Sequence, residues 1–229
     1  MSRFGSLSTG KMVSLIKERI ARNLRKPGSG PFGWFVTKYV FEGKNGILEE
    51  YGAKLCNIEP DHNVLEIGFG PGIGLEAACK YVAGGSGKVY GADFSDKMVD
   101  LASERVAKQI QNGKVEIVKS SVDNLPFDKN SMDRVFHCNC YYFWPDLEAG
   151  CHELYRVMRP GAVMVTVLNL KNLKLADEKG FLKYGNIDPE RYMEGLKKTG
   201  FQDVNMKDIT EDKRLTFQAI FASVGQKAT

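Results

Sequence analysis

Asn63-Val64-Leu65-Glu66-Ile67-Gly68-Phe69-Gly70-Pro71-Gly72-Ile73-Gly74 reads as a buried strand that ends beside a carboxylate and runs into a glycine-rich bend. Glycines at such a bend let the chain turn sharply from strand to helix and let the backbone approach a ligand with no Cβ in the way. The stretch therefore predicts an open α/β sheet that binds a nucleoside-bearing cofactor at the carboxyl end of its first strand.

Spacing narrows the choice of cofactor. A dinucleotide site wants G-x-G-x-x-G, and neither Gly68 nor Gly70 begins that pattern, which disfavours nicotinamide and flavin cofactors. A P-loop wants G-x-x-x-x-G-K-[ST]; the nearest run, Gly84-Gly85-Ser86-Gly87-Lys88-Val89, lacks both the first spacing and the final hydroxyl. Glu66 beside the turn would repel a pyrophosphate and attract a cation. S-adenosylmethionine, with a positive sulfonium and a positive α-amino group, suits it. Further along, Lys88-Val89-Tyr90-Gly91-Ala92-Asp93 reads as a second strand ending in an acid, about 20 residues past the glycine bend, where ribose recognition requires one. Asp93 is the expected ligand of the ribose diol.

These blocks, taken in order, resemble the class I S-adenosylmethionine-dependent methyltransferases, and the flavour is similar to the ubiquinone and menaquinone biosynthesis enzymes. Val118-Lys119-Ser120-Ser121-Val122-Asp123-Asn124-Leu125-Pro126-Phe127 looks like that family's third-strand motif, and Glu153 to Gly161 like the helix and turn before its fifth strand. The resemblance implies a Rossmann-like, seven-stranded, mostly parallel sheet with the last strand antiparallel, helices on both faces and an N-terminal helical lid. It implies a lid over residues 1–58 and a cofactor-binding domain over 59–229. It also implies that Glu66, Gly68, Phe69, Gly70, Gly72, Asp93, Phe94, Met98, Ser121, Val122 and Asn139 hold S-adenosylmethionine, with S-adenosylhomocysteine as product. Ser121 stands where the family usually has an acid, so it can accept the adenine amine only without charge assistance; Asp123 is a nearby alternative.

At 229 residues and 43% hydrophobic content the chain suits one such domain. No apolar run approaches a membrane span or a secretory core, so the expectation is a cytoplasmic protein. Five cysteines, at 56, 79, 138, 140 and 151, show neither C-x-x-C pairing nor zinc spacing, and no metal is expected. Residues 1–27 carry seven Lys or Arg against Glu18 alone, so the remainder of this +4 chain is slightly acidic. Such a body lacks the basic face that nucleic acid demands. Met12, Leu15, Ile16 and Ile20 recur at helical spacing among those cations and stop at Pro27-Gly28. This basic amphipathic helix reads as a substrate lid, a mitochondrial transit segment or a contact for an anionic surface or partner.

Helices are expected over Leu75–Val82, from a Ser95 cap to Ile110, over Asp146–Met158, and from Asp188-Pro189 to Gly200. Strands are expected over Val115–Val118, Arg134–Cys138 and Ala162–Leu168, with a closing hairpin of Val204–Ile209 and Leu215–Val224. The run after the fourth strand, His137 to Pro145, should face the transferred methyl. There His137 is the candidate base, Tyr142 its catalytic neighbour, and Tyr141, Trp144 and the more distant Tyr184 candidate acceptor contacts. Against these stands the reading that the rings fill a sheet-to-helix corner and the histidine is satisfied inside the sheet. The expected reaction is direct methyl transfer to a small organic acceptor by a monomer or homodimer. The rivals are a protein or RNA methyltransferase docking through the basic arm, and a non-catalytic binder of the cofactor.

Overall fold

The computed structural model describes residues 9–211 and 215–226; Arg3 of the basic arm lies outside them. Seven strands form one sheet in the order β3-β2-β1-β4-β5-β7-β6. These are β1 (Val64–Ile67), β2 (Val89–Asp93), β3 (Val115–Lys119), β4 (Met132–Cys138), β5 (Met158–Leu168), β6 (Phe201–Glu211) and β7 (Leu215–Val224). All neighbours from β3 to β5 run parallel, and β7 is antiparallel to both β5 and β6. The strand order reverses between β1 and β4, which places the crevice at the carboxyl ends of β1, β2 and β4.

Central strands covered on both faces should be apolar throughout, and β1 is buried at all four positions, Glu66 included. Helices α4 (Ile73–Val82), α5 (Asp96–Arg105), α6 (Ala107–Gln111), α7 (Leu147–Val157), α8 (Leu170–Glu178) and α9 (Pro189–Thr199) link the strands. The helix expected from Ser95 to Ile110 breaks at Val106, whose φ of −106° and ψ of 26° end α5. Ser95 occupies the cap position, yet its hydroxyl caps nothing; its N–H instead binds Asp93. Pro160-Gly161 does not delay the fifth strand, which starts at Met158.

The N-terminal part is helical from the first described residue: α1 (Thr9–Arg25), α2 (Pro31–Phe35), a wide π-helical stretch over Val36–Asn45, and α3 (Gly46–Leu55). Two glycines let α3 lie close to the body. A Cβ on Gly46 would meet Ile73 Cδ1 at 2.9 Å, and one on Gly52 would meet Phe136 Cδ2 at 2.9 Å.

Candidate active site

Gly68, Gly70 and Gly72 all adopt positive φ, at 64°, 51° and 83°, a region closed to most side chains. The bend they make lays open backbone at the head of α4. A Cβ on Gly74 would fall 2.1 Å from Glu66 Oε1, so α4 sits directly on that carboxylate. Glu66 is only 1% exposed and accepts a hydrogen bond from the Leu75 N–H. It therefore supports the loop from beneath, and does not line the crevice as a ligand would. Phe69 likewise points into the core, against the α-carbon of Gly91, and Gly72 serves the turn against Ala102.

Asp93, at the end of β2, is 7% exposed and accepts N–H bonds from Gly70 (3.2 Å, to Oδ2) and Ser95 (2.9 Å, to Oδ1). Burial pushes its carboxyl up to about 6, opposed by those N–H groups, by that of Phe94 and by the Lys26 charge. Around it a cavity with about 1000 Å³ of free space, partly open to solvent, runs between the strand ends and the N-terminal helices. Of the residues expected to bind cofactor, Gly68, Gly70, Asp93, Phe94, Met98, Ser121, Val122 and Asn139 line it, and so does Trp144. Asp123 does not.

The expected catalytic pair sits elsewhere. His137 is fully buried, with Nε2 at 2.8 Å from the Tyr192 hydroxyl and 2.9 Å from Thr166 Oγ1, and Nδ1 at 3.4 Å from Cys140 Sγ. Burial lowers its pKa to about 3, so the ring is neutral. Tyr142 packs between Tyr141 and Phe143 behind the cavity wall. Tyr141 stacks on Tyr192 with centroids 4.5 Å apart and donates its hydroxyl to Ile187 O. Tyr184 lies with Arg22, Arg25 and Lys26 in an adjoining depression, and its hydroxyl bonds to Glu18. None of these four is on the wall of the main cavity. The reason is local: His137 lies within β4 beside Cys138, which lines the cavity, so its side chain takes the opposite face of the sheet, and after Asn139 (φ 48°) the chain turns into the short helix Tyr141–Phe143.

The resemblance implies a lid over residues 1–58 but names none of its cavity-facing residues. Leu24 and Pro27, then Phe41, Asn45 and Glu49, line the cavity from the N-terminal helices. Polar ties hold that wall in place. Asn139 Nδ2 donates to Asn45 Oδ1 (3.2 Å), while Arg105 reaches both Glu42 (3.1 Å) and the Pro71 carbonyl (2.7 Å). Glu18 on α1 binds Lys183, Tyr184 and Arg22, and these partners hold its carboxyl down at about 2. The spacing Gly46-x-x-Glu49-x-x-Gly52, a carboxylate between two glycines on one helical face, is the signal that could have located Glu49.

A parallel sheet whose order reverses at a glycine bend, with an acid on the next strand, defines a nucleoside-cofactor site of the doubly wound α/β class. Residues 64–161 match the methyltransferase domain family. The chain is 24% identical over 172 residues to the uncharacterized methyltransferase YdaC of Bacillus subtilis, covering 75% of this chain and 89% of that protein. It is 32% identical over 121 residues to the 2-phytyl-1,4-naphtoquinone methyltransferase of Nostoc punctiforme, covering 52% of each. In fold it matches a SAM-dependent methyltransferase from Aquifex aeolicus with a TM-score of 0.62 at 23% identity, over 82% of this chain and 96% of that one. Residues 64–161 thus carry a methyltransferase domain, and the likenesses support a class I S-adenosylmethionine-dependent methyltransferase with S-adenosylmethionine as its cofactor. Among the described residues no helix is long and apolar enough to cross a membrane.

Proposed function

We propose that this protein transfers the methyl of S-adenosylmethionine to a small, largely apolar organic acceptor, with residues 1–58 acting as the lid over a cofactor domain of residues 59–229. The observation that carries this reading is the closed composition of the cavity. Asp93 and the glycine bend form one end, while Leu24, Phe41, Phe143 and Trp144 supply an apolar wall. Nostoc's related enzyme is named for a prenylated naphthoquinone, an acceptor of that character. The residues fit the cofactor: Asp93 keeps lone pairs for a ribose diol, Ser121 and Val122 flank the adenine side, and Asn139 Oδ1 is buried with no hydrogen-bond partner among the described residues.

The cofactor supplies an electrophilic methyl on a cationic sulfur. This chain's part is to position, shield and orient. Asp93 and the glycine-loop backbone hold one reactant, the apolar wall excludes water and seats the other, and acceleration comes from alignment at near-attack distance. His137 and Tyr142 are assigned no proton-transfer role, because His137 is sealed in its bonds to Tyr192 and Thr166 and Tyr142 lies behind the wall. The basic α1 reads better as a lid than as a docking arm, since Glu18 fastens it across the body to Lys183 and Tyr184.

The test is a calorimetric titration with S-adenosylmethionine followed by a labelled-methyl screen. Binding plus transfer to prenylated phenols or quinols is the expected outcome. Transfer confined to a protein or RNA acceptor, with steep salt dependence, would refute it.

A further inference from the structure

Glu49 is the most conspicuous group in the cavity that the reading above does not use. It is 5% exposed, lines the cavity wall, and has Oε1 3.7 Å from the position a Cβ would occupy on Gly70. The Gly74 N–H donates to the carboxylate, yet Oε2 has no hydrogen-bond partner among the described residues. The group is not there through slack packing. Gly46 and Gly52, one turn to either side on the same face of α3, bring the helix so close that any Cβ at either site would collide with Ile73 or Phe136. Glu49 is thus aimed at the glycine bend by the helix on which it sits.

Its charge surroundings point to what it awaits. Glu66, Asp93 and Glu42 are the neighbouring acids, and Arg105 is the cation that acts on Glu49, although Arg105 is already engaged by Glu42 and the Pro71 carbonyl. Burial and the acids around it hold the Glu49 carboxyl well above its ordinary range. A buried carboxylate without a counter-charge is costly, and a cation placed beside it removes that cost. Position distinguishes which cation. Gly70 is the residue whose N–H binds Asp93 and also the residue that Glu49 approaches, so the two carboxylates meet at one point of the loop. In the cofactor the sulfonium is bonded to the 5′ carbon of the ribose, so a charge beside the ribose site is fewer bonds from the sulfonium than from the α-amino group at the far end of the methionine chain.

We propose that Glu49, carried by the lid helix α3, is the counter-ion of the cofactor's sulfonium, so that this chain distinguishes S-adenosylmethionine from its uncharged-sulfur product by the charge at that atom. The inference rests on the cofactor reading above and goes beyond it by giving the helical wall a ligand contact and a selectivity.

The experiment titrates wild type and Glu49→Gln with S-adenosylmethionine, S-adenosylhomocysteine and sinefungin, whose protonatable amine replaces the sulfonium. In Glu49→Gln the two cationic ligands should lose affinity together, by roughly tenfold or more, while S-adenosylhomocysteine changes by less than about twofold. Equal loss for all three ligands would mean that Glu49 reads the shared α-amino group, and would overturn the proposal; so would no loss for any. Should Glu49→Gln fail to fold, Glu49→Asp and the wild-type preference decide: wild type binding all three equally overturns the proposal. Wild type binding none of them would instead refute the cofactor reading itself.

Discussion

The two walls of the main cavity are built on different principles. The sheet wall is fixed by backbone: strand ends, three glycines at positive φ, and Asp93 held by two N–H groups. The helical wall is fixed by side chains, through Arg105 to Glu42, Asn139 to Asn45 and Glu18 to Lys183. A wall made of backbone has no rearranged state short of unfolding, whereas a wall held by a few polar ties can loosen piece by piece. The cavity therefore joins a rigid half to a half whose attachment depends on charge.

The largest expected effect breaks the rigid wall. Gly74→Val would drive a side chain into the Glu66 carboxylate, which is itself buried and cannot retreat to water. Overpacking of this kind should cost about 3 kcal/mol or more and lower Tm by roughly 6–12 °C. Gly30→Ala, in the linker of the helical wall, meets nothing within 4 Å and should leave Tm within about 1 °C of wild type in the same melt.

Next comes the charge on the sheet wall. Asp93→Asn should weaken S-adenosylmethionine binding by roughly ten- to 150-fold, since charge-assisted bonds to a diol are worth about 1.5–3 kcal/mol. The pH dependence has two opposite signs. With its folded pKa raised from 3.8 to about 6, Asp93 gives its full contribution to stability below about pH 4 and loses it as pH rises through about 6. Cofactor affinity should run the other way and improve as pH rises through about 6, because the diol needs the ionised form. Melting curves and titrations from pH 4.5 to 8 on wild type and Asp93→Asn separate the two. An affinity profile in which the variant shows the same rise as wild type would assign the proton to another group.

That contrast also explains what could be read from the chain. Glycine spacing, a buried acid in a strand and an acid at the end of the next strand are constraints on backbone, so they appear in the linear order; an open α/β sheet and Asp93's place at the end of β2 followed from them, while the seven-stranded topology with its antiparallel last strand came from the family resemblance. Glu49 depends on how α3 leans on β4 and on the loop, a tertiary fact signalled only by Gly46 and Gly52. His137, Tyr141 and Tyr142 were expected at the methyl because they lie at the carboxyl end of β4 and just beyond it; the face His137 takes in β4 and the turn from Asn139 into Tyr141–Phe143 are set by packing that chain position does not carry. The break at Val106 was not legible, because nothing in its local pattern opposes continuation of the helix.

A smaller effect is expected at the strap. Glu18→Gln should leave Tm little changed, as exposed ion pairs contribute little, but should raise hydrogen exchange along α1 and hasten tryptic cleavage at Arg22 and Arg25. Wild type in high salt should move towards the variant, because screening acts on the same contacts. Exchange in β1 and α4 should stay unaltered in both. If cleavage at the strap is equally slow in variant and wild type, the attachment of α1 is apolar and not ionic.

The smallest effect lies where sequence reasoning placed a catalytic group. The Tyr142 ring is wedged between Tyr141 and Phe143, with centroids 5.4 and 4.6 Å away. What ties Tyr142 down is its carbonyl, which accepts from the Asn186 N–H at 3.1 Å, and that bond survives any side-chain change. Tyr142→Phe should therefore keep cofactor affinity and turnover within about twofold of wild type, since the change removes one oxygen from a ring that does not line the cavity. Tyr141→Phe should cost about 1 kcal/mol of stability, because it strands the Ile187 carbonyl that now accepts the Tyr141 hydroxyl at 2.8 Å. A loss of turnover in Tyr142→Phe with binding intact would bring the ring into the reaction after all. It would require the segment after β4 to swing into the cavity when both reactants are bound, which would make the sheet wall the movable one.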